Sequence, residues 1–182
     1  MSTERKFAAF TRNTRGGLGI SEIPKDGFCI SVFLILKGEN DPRGVLMGYL
    51  NPEANWAHIG ALTQDRIDAH SKGWMLPSSH IIFGESPNDA AKRVFSEQLG
   101  IEDSGGLLTG PKVFSEVYAP RRHSEAKEHW DLQFLFEGRI TSSDLLNDVA
   151  RNAWKKLDFI DIDSIEPSKI SRSHEDILSR IR

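Results

Sequence analysis

The stretch that decides the fold is Gly73-Trp74-Met75-Leu76-Pro77-Ser78-Ser79-His80-Ile81-Ile82-Phe83-Gly84-Glu85-Ser86-Pro87-Asn88-Asp89-Ala90-Ala91-Lys92-Arg93-Val94-Phe95-Ser96-Glu97-Gln98-Leu99-Gly100-Ile101. Its first part, Trp74 to Phe83, is mixed in character and interrupted by Pro77-Ser78-Ser79. The rest reads as a helix with marked ends. Ser86 is a cap residue, Pro87 suits the first helical position, and Asp89 places a negative charge in the first turn. Gly100 supplies a left-handed stop, so the spacing predicts a helix that runs to Leu99.

Outward from this segment the chain alternates between strands and helices. Phe28 to Lys37 is rich in β-branched and aromatic residues and reads as a central strand, apolar on both faces. The turn cluster Gly38 to Gly44 returns the chain into Val45 to Leu50, which predicts a hairpin. Lys112 to Ala119 and Trp130 to Ile140 read as two more strands. A second helix is expected from Ser142 or Ser143 to Asn152, a short strand over Lys156 to Ile162, and a last helix from a Ser173 cap to Arg182. The polar run up to Lys25 is expected to be a loose arm or a short edge strand. Within it, Arg15-Gly16-Gly17-Leu18-Gly19 fits neither the dinucleotide nor the P-loop pattern and reads as a turn. This mixture in 182 residues predicts one α/β domain over residues 1–182.

Composition narrows the function classes. The chain is 38% apolar and 27% charged, as in an ordinary globular protein. Lys plus Arg is 23 and Asp plus Glu is 26, a net charge of -3. That balance argues against a nucleic-acid partner, which calls for a basic excess. The apolar run Val32 to Leu36 is far short of the roughly 20 residues a membrane span needs. Met1-Ser2-Thr3-Glu4-Arg5-Lys6 has no apolar stretch after it that resembles a signal peptide. The single cysteine, Cys29, lies in the most apolar region and reads as a buried small hydrophobe. Together these features predict a cytoplasmic protein without membrane contact. A homodimer is the commonest assembly for such a chain.

The quoted stretch resembles the Nudix box, G-x5-E-x7-R-E-U-x-E-E-x-G-U, where U is a bulky aliphatic residue. Glu85, Arg93, Glu97, Gly100 and Ile101 match in register, with Phe95 a looser match. Ser79 stands in place of the first glycine, and Ser78 where a second glycine commonly precedes it. Val94 and Gln98 replace two glutamates. The resemblance implies an α/β/α sandwich around a mixed sheet. It also implies hydrolysis of a nucleoside diphosphate linked to another moiety, by a metal-dependent pyrophosphohydrolase, with Mg²⁺ or Mn²⁺ as cofactor and a small phosphorylated nucleotide-like ligand as partner.

Residue by residue, the resemblance makes Glu97 the main cation ligand, Glu85 a second ligand, and Gln98 a neutral oxygen beside them. Ser78 would offer its backbone carbonyl, with Ser79 beside it in the substrate site. Each has a structural alternative: Glu97 paired with Arg93 on a solvated helix, Glu85 paired with Arg93 to hold the loop, Gln98 a polar remnant. Arg93 is expected to be structural, because a buried guanidinium needs carboxylates. The helix face that carries three carboxylates in the family here presents Val94, Glu97 and Gln98. A weak cation site follows, and slow or absent chemistry. The competing class is a catalytically inactive nucleotide-binding sensor or partner module. Restoring both glutamates at positions 94 and 98 is expected to raise cation affinity.

Outside the box, Glu125, Glu128 and Asp131 are candidates for a further acidic ligand, or residues of an exposed charged loop. Arg121, Arg122, His123 and Lys127 form a basic cluster suited to phosphate oxygens, or an ordinary solvated loop. Tyr118, Trp56 and Trp130 are aromatic groups for base stacking or for the core. His80 after Ser78-Ser79 lacks the G-x-S-x-G elbow of a serine nucleophile, and the histidines show no zinc spacing.

Overall fold

A computed structural model of the chain describes residues 9–10, 28–41, 43–102, 106–118, 129–171 and 174–181. Its centre is a mixed sheet built on β2 (Phe28–Gly38), with β1 (Ala9–Phe10), β3 (Gly44–Leu50), β4 (Ser78–His80), β5 (Leu108–Tyr118), β6 (His129–Ile140) and β7 (Trp154–Asp161). The main strand order is β5-β6-β2-β3-β7, and β1 and β4 also pair with β2. β2 and β6 run parallel over their whole length, from Phe28↔Trp130 to Gly38↔Ile140, and the other pairs are antiparallel. The helices are α1 (Trp56–Ile59), α2 (Gln64–His70), α3 (Pro87–Leu99), α4 (Asp148–Ala153) and α5 (His174–Ser179).

The continuous apolar run of β2 is explained by two cores, one on each face. Successive strand residues point to opposite sides. Val32, Leu34 and Leu36 join Ala90, Ala91, Val94, Phe95 and Leu99 of α3 in one cluster. Phe33 and Ile35 join Leu76, Leu135, Ile170, and Ile177 and Leu178 of α5 in the other. This is the expected α/β/α sandwich. Each fully buried aliphatic or aromatic side chain contributes about 1.5–3 kcal/mol, so both faces hold the sheet.

Several sequence expectations are corrected. The hairpin after β2 exists, but β2 and β3 register only at Lys37↔Val45. The first half of that edge of β2 is taken by β1 at Phe28 and Cys29 and by β4 at Ser31 to Phe33, so β3 makes its long ladder with β7. The helix expected from Ser142 to Asn152 is two elements. A 3-10 turn covers Ser142–Leu145, and α4 restarts after Asn147, whose side chain accepts from Ala150 N. The strand expected at Lys156 begins at Trp154. Of the N-terminal run, Ala9–Phe10 forms the edge strand β1. The last helix occupies His174–Ser179, and its expected cap Ser173 lies outside the described residues. The helices α1 and α2 lie in a stretch for which the sequence predicts no helix. Among the described residues no helix is long and apolar enough to cross a membrane.

Candidate functional site

α3 has the ends that its sequence predicts. Ser86 Oγ accepts from Asp89 N at 3.1 Å, Pro87 opens the helix, and Gly100 closes it at φ 67°. A Cβ on Gly100 would lie 2.2 Å from Asn147 Oδ1, so glycine is required for space as well as conformation. Asn147 uses that space to donate from Nδ2 to Leu99 O at 2.7 Å, which binds α4 to the end of α3.

The loop before α3 is braced by an ion pair. Arg93 Nε donates to Glu85 Oε1 at 2.7 Å and Nη2 donates to Oε2 at 2.9 Å. Glu85 Oε2 also accepts from Ile82 N at 2.9 Å. Arg93 reaches β4 as well, donating to His80 O at 2.9 Å and to Ser79 Oγ at 3.3 Å. The two side chains are 9% and 12% exposed. Both oxygens of Glu85 are therefore committed within the protein, and the residue holds the loop on the helix. Ser79, buried in β4, is part of the same brace.

Gln98 is fully buried, and every polar end of it is bonded. Its Oε1 accepts from Ser78 N at 3.2 Å, and its Nε2 donates to Ser78 O at 2.8 Å and to Ile59 O at 3.0 Å. The amide thus pairs with the Ser78 peptide groups as a neighbouring strand would, and ties α3 to β4 and α1. Its backbone oxygen accepts from Trp154 Nε1 at 2.8 Å. Val94 is likewise at 0% exposure. Glu97 stands one turn after Arg93 on the same flank of α3 and is partly buried.

The family's cation can be tested against this donor set. Mg²⁺ and Mn²⁺ take hard oxygen ligands, commonly carboxylates on one face. Here the face offers Glu97 alone: Val94 has no donor, Gln98 is spent on three backbone groups, and Glu85 is spent on Arg93 and Ile82. Among the described residues no group of three His, Cys, Asp or Glu is placed to hold a metal. The described residues do not by themselves fit the cation. Positions 94 and 98 are both buried, so two restored glutamates would enter a packed interior.

α1, which residue spacing does not predict, helps to close this face. Ile59 O receives the Gln98 amide, and Trp56 is fully buried in the α3-side core, edge-on to Trp154 with ring centroids 5.0 Å apart. Trp56 is a core residue rather than a base-stacking one. The local signs of α1 are Asn55 before it and Gly60 after it, each weak by itself.

A second row of polar side chains crosses the other face of the sheet. Arg66 of α2 lies 3.4 Å from His80 Nε2, and His80 Nδ1 lies 3.0 Å from Ser31 Oγ. A guanidinium only donates, so His80 accepts at Nε2 and donates from Nδ1 to Ser31. Ser31 Oγ donates to Cys29 Sγ at 3.7 Å, and Cys29 Sγ donates to Asp131 Oδ1. From the opposite side Gln133 Nε2 donates to Asp131 Oδ2 at 3.3 Å, and Arg180 Nη1 donates to Gln133 Oε1 at 2.7 Å. The donors run inward from two arginines to one buried carboxylate. Burial first, and then the Asp131 charge, push the Cys29 thiol pKa far up, so it stays a protonated donor. Asp131, which the sequence placed in an exposed loop or at a cation, is buried in β6 against Cys29.

Trp130 stacks on Phe28 at 5.3 Å and donates to Ser115 Oγ at 2.8 Å. The candidates Arg121, Arg122, His123, Glu125, Lys127 and Glu128 lie outside the described residues, as does the side chain of Tyr118.

The mixed sheet, its two helical layers and the capped α3 behind a braced loop define the Nudix fold. No family model matches the chain, and no curated protein is similar to it in sequence. Solved structures are similar in fold. The MutT protein from Methanosarcina mazei Go1 is 16% identical, with 87% of this chain and 94% of that one covered and a TM-score of 0.53. The NUDIX domain of Shewanella oneidensis NrtR, solved with ADP ribose, is 11% identical, with coverages of 85% and 86% and a TM-score of 0.51. A MutT/nudix family protein from Enterococcus faecalis is 16% identical, with coverages of 90% and 62% and a TM-score of 0.54. At these identities the likeness is one of fold.

Proposed function

We propose that this chain is a Nudix-fold module that binds a small phosphorylated, nucleotide-like ligand without hydrolysing it through a helix-bound cation. One observation carries the reading: Gln98, at a position where the family has a carboxylate, is buried and bonded to Ser78 and Ile59. With Val94 buried beside it, α3 is a packing helix. Binding is supported by the shared fold with the NrtR domain, whose structure contains ADP ribose. The Arg121-Arg122 pair supplies guanidinium groups of the kind that grip phosphate in two-point contacts.

The second reading is a metal-dependent hydrolase of a nucleoside diphosphate linked to another moiety. Glu97 favours it, being the one carboxylate that α3 keeps in the family's register. Calorimetry with ADP and ADP-ribose, with and without Mg²⁺ or Mn²⁺, separates the two when joined to an assay for released phosphate or nucleoside monophosphate. The binding module predicts heat of binding that does not depend on the cation, no product, and weaker binding in Arg121→Ala with Arg122→Ala. Product that requires the cation and vanishes in Glu97→Gln would establish the hydrolase and end the binding-module reading.

A further inference from the structure

Polar bonds fasten the C-terminal segment to the second face of the sheet. Trp74 N donates to Lys169 O at 2.9 Å, and Ser171 N donates to Trp74 O at 2.7 Å. Among the described residues, α5 is also caught near each end. Leu76 N donates to His174 Nδ1 at 3.0 Å, and Arg180 donates to Gln133. Between the catches, Ile177 and Leu178 enter the core that contains Phe33, Ile35 and Leu135.

We propose that α5 is an acid-released strap, with His174 as its titrating catch. The Leu76 N–H requires a lone pair at Nδ1, so the docked ring is neutral and carries its proton on Nε2. A proton added at Nδ1 sets donor against donor. It also creates a cation in a buried site, since His174 is 5% exposed. Among the described residues, the groups in contact with the ring include no anion. Phe33 of β2 meets it edge-on at 5.5 Å, the chain before β4 presents Leu76 N, and α2 presents His70, edge-on at 5.9 Å. His70 is itself bonded through Nδ1 to Ser171 Oγ. On α5 the adjacent titratable groups are Glu175 and Asp176, with Arg180 at the far end.

Burial, and then repulsion from His70, hold the His174 pKa well below the ordinary imidazole value. The sign follows by linkage. The released ring takes a proton near pH 6.5 and the docked ring does not, so docking is complete above about pH 6.5. Below that it weakens about tenfold for each pH unit until the docked ring also titrates. Release uncovers the Phe33-Ile35-Leu135 surface and separates Arg180 from Gln133, while α3 and its core on the opposite face keep their contacts.

Hydrogen exchange of the full chain, followed by mass spectrometry near pH 7.5 and pH 5.5 and corrected for intrinsic rates, tests this. The expected result is a loss of protection of roughly tenfold over residues 174–181 and at Leu76 at the lower pH, with β2 and α3 unchanged. His174→Asn keeps an acceptor at the Nδ1 position and removes the titration, so its α5 should stay protected at both values. Equal protection of wild-type α5 at the two pH values overturns the proposal. So does simultaneous loss over β2 and α3, which is global unfolding, or a pH response in His174→Asn equal to wild type. If His174→Asn does not fold, an NMR titration of the wild-type ring decides: a pKa near 6.5 in the folded chain refutes the catch, and a strongly lowered one supports it.

Discussion

Gln98→Glu restores the family's residue at a position where the structure shows a three-way clamp. The Nε2 group donates to Ser78 O at 2.8 Å and Ile59 O at 3.0 Å in a fully buried setting. A carboxylate has no such donor. It leaves two buried carbonyls unpaired, each worth about 1–3 kcal/mol, and directs its own charge at them. The sum is about 4 kcal/mol at neutral pH, or a fall in Tm of roughly 8–16 °C for a chain of this size. The loss should depend on pH. Burial and the two carbonyls raise the introduced carboxyl's folded-state pKa above its unfolded value of about 4.3. Its penalty is therefore smallest below about pH 4.3, where a neutral acid can donate once, and grows as pH rises through the folded-state value. Thermal melts of wild type and Gln98→Glu between about pH 5 and 8, with and without millimolar Mn²⁺, measure this. A variant as stable as wild type at neutral pH, or one that Mn²⁺ stabilises while wild type is unmoved, would show that position 98 faces an accessible cation site. The clamp argument would then be wrong.

Other expectations follow from the same contacts. Arg93→Ala leaves Glu85 as a nearly buried charge bonded only through Ile82 N among the contacts described above, and should cost about 3–5 kcal/mol in chemical denaturation. Gly100→Ala meets both a left-handed φ of 67° and Asn147 at 2.2 Å, and a loss of about 1–3 kcal/mol is expected; a neutral result would mean that α4 moves freely away from α3. The raised thiol pKa of Cys29 predicts that a thiol reagent at about pH 8 labels the native chain no faster than it unfolds. Because the unfolded thiol ionises near pH 8.5 and the folded one does not, stability should fall by roughly 1.4 kcal/mol per pH unit above that point. A Cys29→Ala variant should remove that part of the pH dependence.

The elements most legible in the sequence are those specified locally. Ser86, Pro87 and Gly100 set the ends of α3 through groups within a few residues of each other, and the β-branched run of β2 marks a strand buried on both faces. The split of Ser142–Ala153 into two elements is less legible: the Asn147 cap on Ala150 N is local, but the same side chain also donates to Leu99 O of α3, a contact that residue spacing does not reveal. α1 and α2 carry little local patterning, and tertiary contacts hold them in place.

The central strand β2, the capped helix and the loss of carboxylates at positions 94 and 98 belong to the sequence alone, since they depend on residue type and spacing. What each polar residue is for was decided in three dimensions. Glu85 acts as a brace and Gln98 as a clamp because Arg93, Ile82, Ser78 and Ile59 meet them, and buried Asp131 is met by Cys29, 102 residues away. A side chain's chemistry is set by the partner that removes it from water, and folding alone brings that partner within reach.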